Sequence, residues 1–434
     1  MMTSRSAVFR ASMSMVVVVL AAMALPAQDR PAPRLSLIFA ERFRFEAWDN
    51  AVHLDRTLPD STAYSRNKTT LGLSWRPSPK LEVTGKLTNE FRVYVAPKDR
   101  PFTWHEVFFD NLYVKWRIPG RLPLTLSAGR MDIFLGEGFV IADGTPLDGS
   151  RSFYFNALRL DWDPAPGQNV MVFVHAMNKT DRFLPVVHDR DQPLVEQPER
   201  AAAVYYSGLF HRVKLDAYFI RKGVAAPDPG TLRSTINTWG ARAQVPLAAP
   251  LLLTAEGAVQ SGSYGEARRS AFGAIAHLDY SPVWRIPYVK TLTLGGILLS
   301  GDRPETEKQE GWDPLFSRWP KWSEGYIYTF INESRVAYWS NLTSVYAAML
   351  LDFGPRANMT MTLHRLGAQR PPRPGPFPGG AGLDRGVLLV GRLNYTISAR
   401  LSGHFEWDRF DPGDFYHAGA NGFNWLRFEL LFKY

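Results

Sequence analysis

The breaks in this chain alternate in kind. Short turns marked by Pro77, Pro79, Pro119, Pro123, Pro164, Pro166, Pro246, Pro250, Pro282, Pro287 and Pro355 are separated by long polar stretches at 48–65, 136–152, 179–199, 301–335 and 367–384. A soluble β-protein has no reason to gather its long connections at one end of its sheets. A barrel in an outer membrane does, because its turns are short on the periplasmic side and its loops long outside.

Between the breaks, apolar and polar residues alternate. Over 80–95, Leu81, Val83, Gly85, Leu87, Phe91, Val93 and Val95 fall on one face, and Glu82, Thr84, Lys86, Thr88, Glu90, Arg92 and Tyr94 on the other. The same split sets Leu112, Val114, Trp116 and Ile118 against Tyr113, Lys115 and Arg117, and sets Trp239, Ala241, Ala243 and Val245 against Arg242 and Gln244. Val387, Leu389, Leu393, Tyr395 and Ile397 likewise oppose Arg392 and Asn394. A β-sandwich alternates too, but its strands usually run about 5–6 residues. These run about 10–14, enough for the roughly 9–11 residues that cross a bilayer at a tilt.

The pattern predicts strands over 35–47, 66–76, 81–95, 104–118, 122–135, 153–163, 168–178, 201–210, 212–222, 234–245, 251–262, 269–280, 289–300, 337–352, 357–366, 386–397, 400–410 and 423–434. The fold class is therefore all-β, a transmembrane antiparallel barrel of about 18 strands, an even number as single-chain bacterial barrels require. Sixteen stays open, because the turns near His211 and Ala399 are weakly marked. In the last strand Leu426, Phe428, Leu430, Phe432 and Tyr434 alternate with Arg427, Glu429, Leu431 and Lys433. Ending on an aromatic, that strand resembles the signal read by barrel-assembly machinery.

Residues 1–27 read as a secretory signal: Arg5 and Arg10, an apolar run over 13–25, and a small residue at Ala27. The barrel then occupies 28–434. Only 28–33 precedes the first strand, which disfavours a plugged transporter. With no cysteine, disulfides, thiolate chemistry and Cys-ligated metals are excluded. The chain carries a formal charge of +9, and +7 without Arg5 and Arg10. That moderate excess favours anionic partners, and secretion argues against nucleic acid. Aromatics at 13% suit rings at membrane interfaces.

A barrel this wide holds water, where inward charges are tolerated and can select solutes by sign. Inward by parity are Arg42, Arg44, Glu46, Lys86, Glu90, Arg92, Lys115, Arg117, Arg159, Asp161, Arg242, Arg392, Glu406, Arg427 and Glu429. Arginine outnumbers carboxylate among them, which points to an anionic solute. Arg130 breaks the parity, since it shares a face with Leu124, Leu126 and Ala128. Arginine at the bilayer midplane costs about 2–4 kcal/mol. A bulge at Gly129, or a position above the hydrocarbon, would remove that cost, and Arg130 is counted with the lumen set.

The run Arg42-Phe43-Arg44-Phe45-Glu46 followed by Asp49-Asn50, then Gly129-Arg130-Met131, Gly138 and Asp148-Gly149, resembles the alginate-export outer-membrane proteins. The likeness is clearest over 35–165. It implies an 18-stranded monomeric barrel whose arginine-rich lumen passes an acidic polysaccharide, in a membrane of lipid and lipopolysaccharide.

Two loops hold further candidates. The run from Trp312 to Trp322, with Arg318 inside it, interleaves aromatic and basic residues. It suits stacking on sugar rings beside carboxylates, and equally a packed lid. Asp143, Asp148 and Arg151 could fold inward as a constriction, and the two aspartates could hold Ca²⁺ although no EF-hand spacing exists. No other cofactor or metal is expected. His105, His175, His277, His364 and His404 are scattered without a catalytic spacing, so the expectation is a channel rather than an enzyme. The expected solute is an acidic oligo- or polysaccharide. A general porin for small nutrients and a closed structural or adhesion barrel remain as alternatives.

Overall fold

A computed structural model describes residues 34–58, 60–142, 155–187, 193–282, 286–318, 322–334, 339–372 and 379–434. Among them run eighteen strands of eight residues or more, from Leu35–Asp49 to Phe423–Lys433. Each pairs antiparallel with the next, and the first pairs with the last from Ala40↔Lys433 to Asp49↔Asn424, so the sheet closes without an edge. The weakly marked turns are real. His211 and Arg212 join Glu199–Phe210 to Val213–Val224, with His211 at φ 57°, and residues 397–400 join Asp384–Thr396 to Leu401–Pro412.

The longest connections gather at one end as expected, but two at that end are short. Residues 97–102 join Leu81–Ala96 to Thr103–Ile118. A two-residue turn at Gly265 and Glu266 joins Leu251–Tyr264 to Ala267–Tyr280 at the long-loop end. Two strand predictions were too long. The strand expected over 122–135 is Leu124–Met131, and the one expected over 337–352 is Leu342–Asp352; Ile133 and Trp339, beyond these ends, pack into the inner apolar core instead.

Outward positions are apolar over most of the wall, including Leu71, Leu73, Val114, Leu158, Val172, Val204, Val259, Leu294, Val345, Leu363 and Phe405. Exposed aromatics ring the short-turn end at Trp75, Trp116, Trp162, Phe210, Tyr288, Phe353 and Tyr434. This is the interfacial girdle of a membrane barrel. The apolar core lies inside, between barrel wall and folded-in loops, and joins Phe155, Phe173, Tyr205, Tyr218, Ile220 and Ile236 to Ile133, Phe139, Ile141, Leu315, Phe316 and Phe330.

Candidate functional site

The first strand supplies the start of a charged wall. Arg42, Arg44 and Glu46 alternate with the outward Phe43 and Phe45, so period two turns all three charges inward. Arg44 donates from Nε and Nη2 to Glu429 at 2.8 and 2.6 Å and lies 3.5 Å from Glu46. Arg427, on the last strand, donates to Glu46 at 2.9 and 2.7 Å and to Glu324 at 2.6 Å. Arg66 donates to Glu90 at 2.9 Å, and Arg42 and Arg92 stand 3.7 and 3.9 Å from it. Among the described residues, these five guanidinium groups thus gather around Glu46, Glu90, Glu324 and Glu429. One such charge alone could not be buried, but a network with fixed counter-charges can.

Two long connections turn into the lumen and narrow it. Residues 133–142 form one arm, with Phe134 bridged to Ala142. Residues 311–318 form the other. Ile141 bridges Phe316 in parallel, the Phe316 amide donates to the Val140 carbonyl at 3.0 Å, and the Ser317 hydroxyl donates to the Gly138 carbonyl. Trp312 stacks on Phe139 with ring centroids 5.0 Å apart. The wall latches this arm. The Lys222 ammonium donates to the Leu315 carbonyl at 2.9 Å, stands 3.1 Å from Glu199 and lies 5.1 Å from the Phe316 ring. Glu199 also accepts from Arg318. Gln260 exchanges bonds with the backbone of Asp313 at 2.7 and 3.0 Å.

Beyond this arm, helix Tyr326–Ser334 lies against the charged wall. The Ser323 hydroxyl caps it by accepting from the Tyr326 amide at 3.1 Å. Asp408 accepts from the Ser323 hydroxyl at 2.7 Å and the Gly325 amide at 3.0 Å, a carboxylate at the positive end of the helix. Tyr328 stacks on Trp48 at 4.4 Å, the Thr329 hydroxyl donates to the Ala51 carbonyl at 2.6 Å, and Arg385 grips Glu333 at 2.8 and 2.9 Å. Burial pushes the phenols of Tyr326 and Tyr328 up, which keeps both neutral.

One cavity, of about 400 Å³, lies along the strands from Ala267–Tyr280 to Leu401–Pro412. It runs between Phe139, Trp312 and Trp322 on the loops and His277, Asp279, Tyr346, His364, Arg392 and Glu406 on the strands. Arg392 donates to Glu406 at 3.1 Å with its side chain 40% exposed. His277 lies 3.1 Å from Asp279, and the Ser344 hydroxyl 3.0 Å from His364 Nδ1.

The residues expected to line the lumen separate into groups. Arg42, Arg44, Glu46, Arg92 and Arg427 come together in the network, where the Arg42, Arg44 and Arg427 side chains are 9, 4 and 2% exposed, and Glu324 of the inward loop reaches Arg427. Arg242 ties Asp216 at 3.1 Å to Glu137 of the inward arm. Arg159 pairs with Asp161 on its own strand at 2.8 and 2.7 Å. Lys86 is half-buried, and Lys115 and Arg117 are exposed, with Arg117 reaching the Pro79 carbonyl at the short-turn mouth.

Arg130 leaves the lumen set. The register places it opposite Leu112 and Asn156, on the outer face with Val114 and Leu158. No register shift occurs at Gly129; instead that glycine takes φ 126°, where a Cβ would sit 2.2 Å from the Leu112 carbonyl oxygen. Arg130 then donates to Asp181 at 2.8 and 2.7 Å, to Asn156 at 2.9 Å and to the Phe109 carbonyl at 2.9 Å. Phe108, Met177 and Val195 form a separate apolar cluster, with Val186 and Leu194 packed against it. Arg130 thus anchors the connection at Asp181, at the end of a strand where the chain leaves the wall.

The loop candidates read as structural ties. Arg318 is held by Glu199, Trp312 is packed on Phe139, and Trp322 lies 4.3 Å from Trp339. Asp143, Asp148 and Arg151, and with them the calcium expectation, lie outside the described residues. Lys222, Glu199, Gln260, Asp408 and the pair Arg385–Glu333 were not singled out from sequence. Lys222 was accessible by parity, since it shares an inward face with Asp216, Tyr218 and Ile220.

No protein-family model matches the chain, and no curated protein sequence does. Solved structures share its fold. The chain aligns with OccK7 (OpdD) of Pseudomonas aeruginosa at TM-score 0.59 and 12% identity over 92% of this chain and 98% of that one. It aligns with OccAB4 of Acinetobacter baumannii at 0.59 and 12% over 93% and 98%. For the outer membrane protein OprD of Pseudomonas aeruginosa the values are 0.57 and 11% over 92% and 93%. The likeness extends to the whole barrel and is a likeness of fold.

Proposed function

We propose that this chain is an outer-membrane channel through which an acidic solute diffuses passively, with an acidic oligo- or polysaccharide of alginate type foremost. The observation that carries the reading is the wall where, among the described residues, Arg42, Arg44, Arg66, Arg92 and Arg427 gather around Glu46, Glu90, Glu324 and Glu429, an arginine-rich field beside the inward loops. Such a field favours anions in a confined, low-dielectric path. The resemblance of the 42–50 and 129–149 motifs to alginate-export proteins supplies the solute class. Export through the leader at 1–27, assembly through the strand Phe423–Lys433, monomeric action and a surround of lipopolysaccharide belong to the same proposal.

Reversal potentials in a planar bilayer under a KCl gradient test it. Anion preference is expected, and a cation-selective pore or no pore overturns it. A general nutrient channel is the second reading, favoured by the close pairing of the network arginines with acids. Liposome swelling separates the two: a general channel admits neutral sugars as fast as uronates.

A further inference from the structure

The outer wall carries a charged patch that the passage does not account for. Five neighbouring strands, Glu199–Phe210 to Ala267–Tyr280, lay out three outward rungs. The first is Val204, Phe219, Trp239, Val259 and Phe272, apolar and aromatic, with the Phe219 and Trp239 rings 4.9 Å apart. Two residues nearer the long loops lies Ala202, Arg221, Asn237, Ser261 and Ser270. The third is Arg200, Gly223, Thr235, Ser263 and Arg268, extended by Lys308 opposite Arg268.

Arg200, Arg221, Arg268 and Lys308 are all exposed. Among the described residues no carboxylate pairs with Arg200, Arg221 or Arg268, and Arg221 donates only to Asn237, at 2.8 Å. The arginines of the charged wall, by contrast, share their acids. Exposed, unneutralised arginine would be costly in hydrocarbon, but an aromatic rung marks where hydrocarbon ends. Two residues of strand rise about 6.6 Å, or about 5 Å in height at a tilt of about 40°. On each strand the basic position therefore stands about 5 or 10 Å nearer the long-loop end than that strand's first-rung residue. Strand spacing of about 4.8 Å puts Arg200 and Arg268 about 19 Å apart, a span wide enough for more than one phosphate.

We propose that this face binds the phosphorylated head of an outer-leaflet glycolipid, with Arg200, Arg221 and Arg268 holding phosphate oxygens. Guanidinium suits that role because it pairs with phosphate through two parallel bonds. The inference rests on the outer-membrane reading and is tested apart from transport.

The full chain, purified in detergent, is titrated with lipid A and with dephosphorylated lipid A and read by native mass spectrometry. Lipid A is expected to remain bound, with the dephosphorylated form at least tenfold weaker. The triple variant Arg200→Gln/Arg221→Gln/Arg268→Gln should lose at least tenfold in affinity while keeping wild-type conductance, which certifies its fold. Arg212→Gln/Lys214→Gln, at the short-turn end, should bind as wild type. Absent binding, equal binding of both lipids, an unaffected triple variant, or an equal loss in the short-turn control overturns the proposal. A conducting barrel that binds no lipid A sinks this site and leaves the channel reading standing.

Discussion

Glu199→Gln should unlatch the arm that narrows the lumen. Glu199 accepts from Arg318 and stands 3.1 Å from the Lys222 ammonium, and neither Glu199 nor Lys222 is more than 4% exposed. Two unit charges at that separation attract by about 5 kcal/mol at an effective dielectric of about 20. Neutralising the acid takes the nearest counter-charge from two buried cations and leaves Asp313, 3.9 Å from Lys222, and breaking a buried pair costs about 3–5 kcal/mol. The closed arm keeps its apolar contacts, so the variant folds with a less stable arm. At about 1.4 kcal/mol per decade, 3 kcal/mol raises the open fraction about a hundredfold. The Phe316 amide, bonded to the Val140 carbonyl at 3.0 Å only when the arm is docked, reports this by hydrogen exchange. Its exchange should quicken about a hundredfold relative to amides of the strand Leu251–Tyr264, and single-channel traces should turn larger and noisier. Adding Lys222→Met removes one of the two cations that Glu199 faces and should recover most of the protection. A change below tenfold at Phe316 would refute the latch.

Other substitutions probe separate links. Gly129→Ala forces a Cβ to within 2.2 Å of the Leu112 carbonyl at φ 126°, and should cost about 1–3 kcal/mol, seen as a lower midpoint of thermal unfolding; an unchanged midpoint rejects the assignment. Ser323→Ala removes the helix cap and should cost about 0.5–2 kcal/mol of local stability, read from exchange at the Tyr326 amide. Arg392→Gln removes the cation facing the open cavity beside Glu406, and should shift the reversal potential toward cations without loss of conductance.

The barrel was legible because its two signals are local. Period-two alternation and turn residues depend on a few neighbouring positions, and they placed eighteen strands with ends mostly within four residues. The lumen was less legible because its state depends on contacts hundreds of residues apart. Parity turned Arg44 and Arg427 inward correctly, yet nothing in their neighbourhood announces that they share Glu46, or that Glu324 arrives from a loop. Arg130 failed for a related reason. Its parity is that of the outer wall, and only the Asp181 that approaches from the next loop makes that position tolerable.

One signal of the filled lumen was present in the strands themselves. Over Ala201–Tyr205 both faces are apolar: Ala202 and Val204 point out, Ala201, Ala203 and Tyr205 point in. Ile220 and Ile236 continue the inner set on the next two strands, and both are fully buried. Lipid explains the outer set, but water gives no reason for the inner one, since each buried aliphatic side chain is worth about 1.5–3 kcal/mol only if something dry covers it. An apolar inner face in a barrel too wide for its own side chains to fill therefore demands an insert. The connections at 133–142 and 311–318 supply Ile133, Phe139, Ile141, Leu315 and Phe316 to meet it. A cavity remains beside the strands from His277 round to Glu406, where Asp279, His364 and Arg392 stand among Ile275, Ile297 and Val390.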